Sequence, residues 1–351
     1  MPSGAIAFGG CLRPDVQLVR PSETARPGWL WAPPPITIEG VVHNGNEPHL
    51  VYGVPSTQYH LQVHLPGTRN TPIQASCLLQ AAASNRAPTI GLSYQWINRT
   101  DASRNAACAQ KYGPSNGVGV AQCLSASHRQ AIFGGNFEPT LWERTNPADS
   151  ISGRLSRLLL HLAHTRPFQG WAHYLEQDGS PCWNRIVLSG HSQGGGHAAY
   201  LALQKHLAGA VLISAPQDEA VGLPKQPLYL DLPFRTKSVA VFGHGLEPAR
   251  RLQSINHARM AVAGTLVTGR AQNYTDDIKS PPCKPVPLLS FAPTSDNSGC
   301  EPASNPTIRY HCSVGTDVRT PAAAGYHVPT ALYSLRPWPL LYRASNAWQN
   351  C

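Results

Sequence analysis

The sequence has few charged residues, no C-x-x-C pair and no long apolar run. Asp, Glu, Lys and Arg make up 13% of its 351 residues, whereas it contains 33 prolines and 30 glycines. Low charge with abundant Pro and Gly is typical of a folded body with many rigid loops, not of a disordered chain. No stretch approaches the ~20 apolar residues that cross a bilayer, so we expect no stable membrane span.

The basic residues do not form a block. The net charge is +9, but the arginines are scattered and only Arg250 and Arg251 are adjacent. Without a Lys/Arg-rich segment or an RNA-binding signature, we expect no nucleic-acid partner. The absence of C-x-x-C spacing argues against a zinc site, and we expect no metal. The oligomeric state is left open.

Nine cysteines favour an oxidising compartment. Cys108 and Cys123 flank one loop-like stretch and Cys283 and Cys300 flank another, which predicts disulfides there. Two sequons for N-glycosylation point the same way. They are Asn98-Arg99-Thr100 and Asn273-Tyr274-Thr275. Residues 1–11 lack the basic region and long apolar core of a signal peptide. We nevertheless expect a secreted or extracytoplasmic protein.

Strand-like and helix-like segments alternate from residue 48 onward. In residues 59–64 and just beyond, Leu61, Val63 and Leu65 share one face, as in a strand. Residues 150–164 form a strongly apolar helical pattern. Further strands are expected at 49–54, 88–94, 185–189, 208–214, 238–242 and either 264–267 or 286–291, and further helices at 72–83, 195–203, 250–263 and within 320–351. This alternation predicts an α/β protein with a mostly parallel sheet flanked by helices.

Three segments depart from the alternation. Residues 1–47 are predicted to be an irregular N-terminal arm, and residues 48–351 a single α/β domain. Within that domain, residues 98–150 are predicted to be an insertion that forms a lid or a cleft wall, because they are rich in Gly, Asn and Ser and show little periodicity. Residues 270–306 form an expanded loop.

The segment Gly190-His191-Ser192-Gln193-Gly194 lies between the apolar run 185–189 and the helical run 195–203. This is the context of a G-x-S-x-G nucleophile elbow, in which a serine occupies a sharp strand-to-helix turn. Glycines on either side let strand and helix pass close together. Ser192 is therefore the candidate nucleophile, and the backbone N–H of Gln193 is a candidate oxyanion donor.

An elbow serine needs a histidine and a carboxylate, in the chain order Ser, acid, His. Glu247 follows the predicted strand 238–242 and is the preferred acid. Asp218, after strand 208–214, is the alternative, with Asp231 and the pair Asp276 and Asp277 behind it. His311 is the preferred base because it lies in a loop-like stretch after the last strands. His327 is its alternative.

A second oxyanion donor is expected from the loop after strand 59–64. That loop reads His64-Leu65-Pro66-Gly67-Thr68. A glycine there lets a backbone N–H approach a reacting carbonyl. Gly67 or Thr68 is therefore assigned to this role beside Gln193.

With these residues the sequence resembles the α/β-hydrolase superfamily over roughly residues 48–320. The stretch Trp183–His197 is similar to poorly characterised bacterial-type hydrolases, which are often exported. In those proteins an acid after the penultimate core strand and a histidine in a His-x-Ser-Val-like segment complete the site, which implies Glu247 and His311 here. The chain departs from them in having Glu in place of the usual Asp, and in its expanded loops.

The resemblance implies an α/β-hydrolase fold with loop insertions and a serine hydrolase that needs no cofactor. A carboxylic ester hydrolase is the preferred function, acting on a small-molecule or polymer ester. An amidase or peptidase would use the same residues. A further alternative is a catalytically inactive binding or structural protein of the same fold.

Overall fold

The computed structural model describes most of the chain between residues 15 and 262, with two short strands beyond. The described ranges are 15–24, 36–38, 41–43, 46–95 (without 69, 84 and 85), 101–135 (without 114), 145–219, 229–262 (without 237, 238, 245, 246 and 248), 272–273 and 288–290. The strands are β1 (Gln17–Val19), β2 (Ile36–Ile38), β3 (Val41–His43), β4 (His49–Tyr52), β5 (Leu61–Leu65), β6 (Thr89–Gly91), β7 (Ile186–His191), β8 (Gly209–Ile213), β9 (Val239–His244), β10 (Gln272–Asn273) and β11 (Leu288–Ser290). The α-helices are α1 (Ser76–Ala83), α2 (Asp101–Tyr112), α3 (Gly117–Phe133), α4 (Ile151–Thr165), α5 (Gln193–Gln204) and α6 (Arg250–Val262).

One large sheet organises the molecule, with the strand order β1–β4–β6–β5–β7–β8–β9–β11–β10. β4 is antiparallel to both of its neighbours, and the other pairings in this sheet are parallel. After β6 the chain crosses back over β5 to β7. The strand order therefore reverses between β5 and β7, and ligands of open α/β sheets bind at the carboxyl ends of strands at such a point. The chain has an α/β-hydrolase fold.

Helices cover both faces of this sheet, which explains why its central strands are buried on both sides. All residues of β5, β7 and β8 are buried. Leu188 and Leu212 face a core shared with α3, α4 and α5, whereas Val187 and Val211 face a second core shared with α1. Successive residues of a strand point to opposite faces, so strands buried on both faces have mostly apolar residues on each face. Gln62 and His64 of β5 are polar residues that are nevertheless buried.

The segment 98–150 differs from the expected irregular insertion, because it contains the helices α2 and α3. The predicted disulfide between Cys108 and Cys123 is confirmed, but it joins these two helices instead of two loop ends. A Cβ on Gly119 would lie 2.7 Å from Cδ1 of Tyr112. Gly119 therefore reflects the close approach of two helices and not a flexible loop.

The N-terminal arm is not wholly irregular either. Residues Gln17–Val19 form β1 and pair with β4 at the edge of the sheet, and β2 pairs with β3 in a separate hairpin. Three-residue strands are too short to give a periodic pattern. In the part of the chain that the structure describes, no helix has the length and apolar character to cross a membrane.

Candidate active site

Ser192 follows the last residue of β7 and precedes the first residue of α5, beside the point where the strand order reverses. Its φ of 52° and ψ of −119° lie in a region that non-glycine residues rarely adopt. Its N–H donates to the carbonyl of Ile213 at 2.9 Å, and its carbonyl accepts from the N–H of Gly196 at 3.0 Å. The residue is partly exposed. These bonds hold a strained turn at the carboxyl end of β7, where the hydroxyl of Ser192 is presented.

Gly190 and Gly194 allow β7, α5 and the loop after β5 to approach each other. A Cβ on Gly190 would lie 2.3 Å from the carbonyl carbon of Gly194. One on Gly194 would lie 2.2 Å from the carbonyl oxygen of Leu65. No side chain fits at these distances without a backbone shift. The glycines of the motif are therefore explained by packing around the turn.

The loop after β5 lies against Ser192. A Cβ on Gly67 would be 3.3 Å from Cβ of Ser192 and 2.9 Å from Nδ1 of His191. The carbonyl of Gly67 accepts from the N–H of Asn70 at 3.0 Å, which closes a turn that contains Thr68. Gln193 is fully buried and is the first residue of α5. Because Gly67 lies against Ser192 and Gln193 directly follows it, the Gly67 loop and the first turn of α5 meet at Ser192. The N–H groups of a first helical turn point out of the helix end.

Glu247 lies just after β9, two strands away from Ser192. His191 is paired with Ile213 and Ile213 with Phe242, so the ends of β7, β8 and β9 lie side by side. Two strand spacings amount to about 10 Å, a span that suits an imidazole between a hydroxyl and a carboxylate. Glu247 is 3% exposed and accepts a hydrogen bond at Oε2 from Oγ of Ser214 at 2.7 Å.

Asp218, the alternative acid, lies in a buried ionic cluster. Its Oδ1 accepts from Arg104 of α2. Its Oδ2 accepts from the hydroxyl of Tyr229 at 2.6 Å and lies 2.7 Å from Nε2 of His128 in α3. Nδ1 of His128 is in turn 2.9 Å from Nδ1 of His197 in α5. Both carboxylate oxygens are thus occupied by side chains of this cluster, and the geometry favours a structural role for Asp218.

Burial and neighbouring charges shift the pKa values of Asp218 and His197 in the buried cluster. Burial raises the pKa of Asp218, but Arg104 and His128 outweigh it, so that the net pKa lies well below the usual range. Burial, followed by the electrostatic effect of His128 and Arg104, holds the pKa of His197 well below its usual value. At neutral pH the cluster therefore contains an ionised Asp218 beside a neutral His197.

Buried neutral histidines predict a loss of stability in mild acid. Burial lowers the pKa of His64 to about 3. Below about pH 6.5 the unfolded chain binds protons that the native His64 and His197 do not, so the free energy of unfolding falls by about 1.4 kcal/mol per pH unit for each of them. Urea unfolding between about pH 8 and pH 5 measures this slope. A His64→Gln variant should have a shallower slope, and identical slopes would contradict the account.

The candidate bases His311 and His327 lie outside the described residues, as do Asp276 and Asp277. Asp231 forms a surface ion pair with Arg259 at 3.0 Å, and its side chain is 36% exposed. His191, next to the candidate nucleophile, is buried. The structure therefore brings together Ser192, the Gly67 loop and Gln193, with Glu247 two strands away.

Sequence reasoning missed Ser214 and the partners of Asp218. The only signal for Ser214 was its position at the end of the predicted buried strand 208–214, and nothing in the pattern indicated its hydrogen bond to Glu247. Arg104 and His128 fell in the segment that was expected to be irregular. Such pairs are not visible in a local pattern, because Arg104 and Asp218 are 114 positions apart and His128 and Asp218 are 90 apart.

A cavity of about 510 Å³ lies at the opposite end of β7. Its walls include Asn184, which precedes β7, and Lys205, which follows α5. The six residues of β7 span about 20 Å. This cavity is therefore separate from the candidate site around Ser192.

No protein-family model and no curated protein matches the chain, but solved structures of esterases do. A carboxylesterase from Bacillus cereus is 16% identical with a TM-score of 0.32, covering 62% of this chain and 80% of that one. The feruloyl esterase module from Clostridium thermocellum is 12% identical with a TM-score of 0.37, covering 97% and 92%. Carboxyl esterase 2 from the fungus Tuber melanosporum is 10% identical with a TM-score of 0.41, covering 95% and 87%.

Proposed function

We propose that the protein is a serine hydrolase that cleaves carboxylic esters through an acyl-enzyme on Ser192. The observation that carries this proposal is the strained backbone of Ser192, with φ of 52°, held at the start of α5 against the Gly67 loop. Strain of this size costs about 1–3 kcal/mol and is concentrated at functional sites.

In the proposed reaction Oγ of Ser192 attacks the ester carbonyl while His311 takes its proton, with His327 as the alternative base. The tetrahedral intermediate then breaks its bond to the alcohol oxygen, and the imidazolium protonates that oxygen. Water attacks the acyl-enzyme by the same route and releases the acid. Glu247 orients the imidazole. The reaction needs neither a metal nor an organic cofactor.

The oxyanion of each tetrahedral intermediate is proposed to accept hydrogen bonds from two backbone N–H groups. Gln193 supplies one from the first turn of α5, where the helix dipole also favours negative charge. Gly67 or Thr68 supplies the other. The approach of the Gly67 loop to Ser192 supports this assignment, because a donor must lie about 3 Å from the developing charge.

The proposal is tested with a series of p-nitrophenyl esters from acetate to palmitate, assayed beside a p-nitroanilide. Saturable ester hydrolysis that a fluorophosphonate abolishes is the expected result. Faster cleavage of the anilide would replace the esterase by an amidase or peptidase. Absence of turnover together with absence of inhibitor labelling would overturn the proposal in favour of a binding or structural protein. The preferred acyl length defines the size of the substrate.

Gly67→Ala is expected to lower kcat by about 10- to 100-fold, because the added methyl group forces the loop away from His191 and displaces the second donor. KM should change less than kcat. Gly170→Ala is the control for strain remote from the site, since alanine is strained at the φ of 82° there but its Cβ would meet only Cβ of Pro55, at 3.8 Å, in a different loop, so kcat should stay near the wild-type value. Full kcat in Gly67→Ala would remove this loop from the oxyanion site.

A further inference from the structure

Ser214 occupies a fixed position between the ends of β8 and β9. It follows the last residue of β8 and has a φ of 48°, in the left-handed region. Its N–H donates to the carbonyl of Phe242 in β9 at 2.7 Å, and its carbonyl accepts from Nε2 of Gln217 at 2.8 Å. Its backbone is therefore held from both sides in a conformation that a serine rarely adopts.

The hydroxyl of Ser214 donates to Oε2 of Glu247 at 2.7 Å. Ser214 is fully buried and Glu247 is 3% exposed. The carboxylate oxygen accepts and the hydroxyl donates, so the hydroxyl proton points toward Glu247. The bond gives the carboxylate one defined position.

Ser214 also connects Glu247 to the candidate nucleophile. The residue before it, Ile213, accepts the hydrogen bond from the N–H of Ser192 at 2.9 Å. A short path thus runs from the backbone of Ser192 through Ile213 and Ser214 to the carboxylate of Glu247. Ser192 and Ser214, both with positive φ, follow the last residues of neighbouring strands.

We propose that Ser214 is a positioning residue for the catalytic acid, an inference that rests on the proposed function. A glutamate has one more rotatable bond than an aspartate, so its carboxylate needs a further contact to remain at a single place. The hydroxyl of Ser214 supplies that contact.

Ser214→Gly is the test, because glycine adopts positive φ without strain and removes the hydroxyl together with its Cβ. We expect kcat for the best p-nitrophenyl ester to fall about 10- to 100-fold with KM changed less than about threefold, since a small misplacement of a catalytic group lowers the rate by such factors. In a Glu247→Gln background the same change should lower kcat less than about threefold, because the coupled partner is already lost.

Ser127→Ala is the matched control. It removes a buried hydroxyl in α3 that donates to the carbonyl of Leu124.

Failure of the proposed role of Ser214 and failure of the proposed function would give different results. Unchanged kcat in a folded Ser214→Gly variant, or an equal loss in both backgrounds, would overturn the role of Ser214 while the esterase proposal stands. A wild-type protein that neither hydrolyses the esters nor reacts with a fluorophosphonate would overturn the proposed function itself.

Discussion

Replacement of Ser192 by alanine is expected to lower kcat for ester hydrolysis by about 10⁴- to 10⁶-fold, because the attacking atom is lost while the rest of the site remains. The residual rate should come from binding and the oxyanion donors alone. The measurement is kcat on the best ester of the p-nitrophenyl series. Ser156→Ala is the control, since this serine lies in α4, outside the elbow.

Ser192→Gly sharpens this test. It removes the same hydroxyl but relieves the positive φ, so it should be equally inactive and yet increase the free energy of unfolding by about 1 kcal/mol. Inactivity combined with greater stability would show that the strain at Ser192 is maintained for function. An active alanine variant, or a glycine variant no more stable than wild type, would contradict this account of the turn.

Asp218→Asn is expected to lower the free energy of unfolding by about 3–5 kcal/mol, because it leaves the charge of Arg104 buried without its carboxylate partner. Arg104 and Asp218 are both fully buried, and Asp218 also contacts His128 and Tyr229. The loss should be partly recovered in the double variant Arg104→Met/Asp218→Asn. Urea unfolding at neutral pH provides the measurement.

The matched control is Asp231→Asn, whose carboxylate pairs with Arg259 on the surface. Exposed pairs contribute about 0–1 kcal/mol, so this variant should unfold nearly as the wild type does. The comparison also tests the choice of acid. A folded Asp218→Asn protein with normal stability and a severely reduced kcat would identify Asp218 as the catalytic carboxylate in place of Glu247.

The elbow and the sheet were predictable because their signals are local. The alternation of apolar strands with a helical pattern indicated a parallel sheet, and Gly190 and Gly194 around Ser192 indicated a turn where a strand and a helix nearly touch. The antiparallel direction of β4 was not predictable. Apolar strands look alike in either direction, and only pairing with β1 and β6 decides it.

The helices α2 and α3 and the buried cluster could not be predicted because their signals are tertiary. In the sequence Gly119 indicates a loop, and only its packing against Tyr112 shows that it lies at a contact between two helices. Arg104 reads as a surface residue until Asp218, 114 positions away, neutralises it. The preference for Glu247 over Asp218 gained its physical support only when these side chains, and the bond from Ser214, were placed.

The central claim is that Ser192 is an activated nucleophile, and peptide mapping after fluorophosphonate treatment tests it most directly. The account predicts one phosphonyl group per chain, attached to Ser192 within the peptide that contains Gly190 and Gly194. An unmodified Ser192 in a protein that continues to hydrolyse esters, or a phosphonyl group on a different residue, would contradict it.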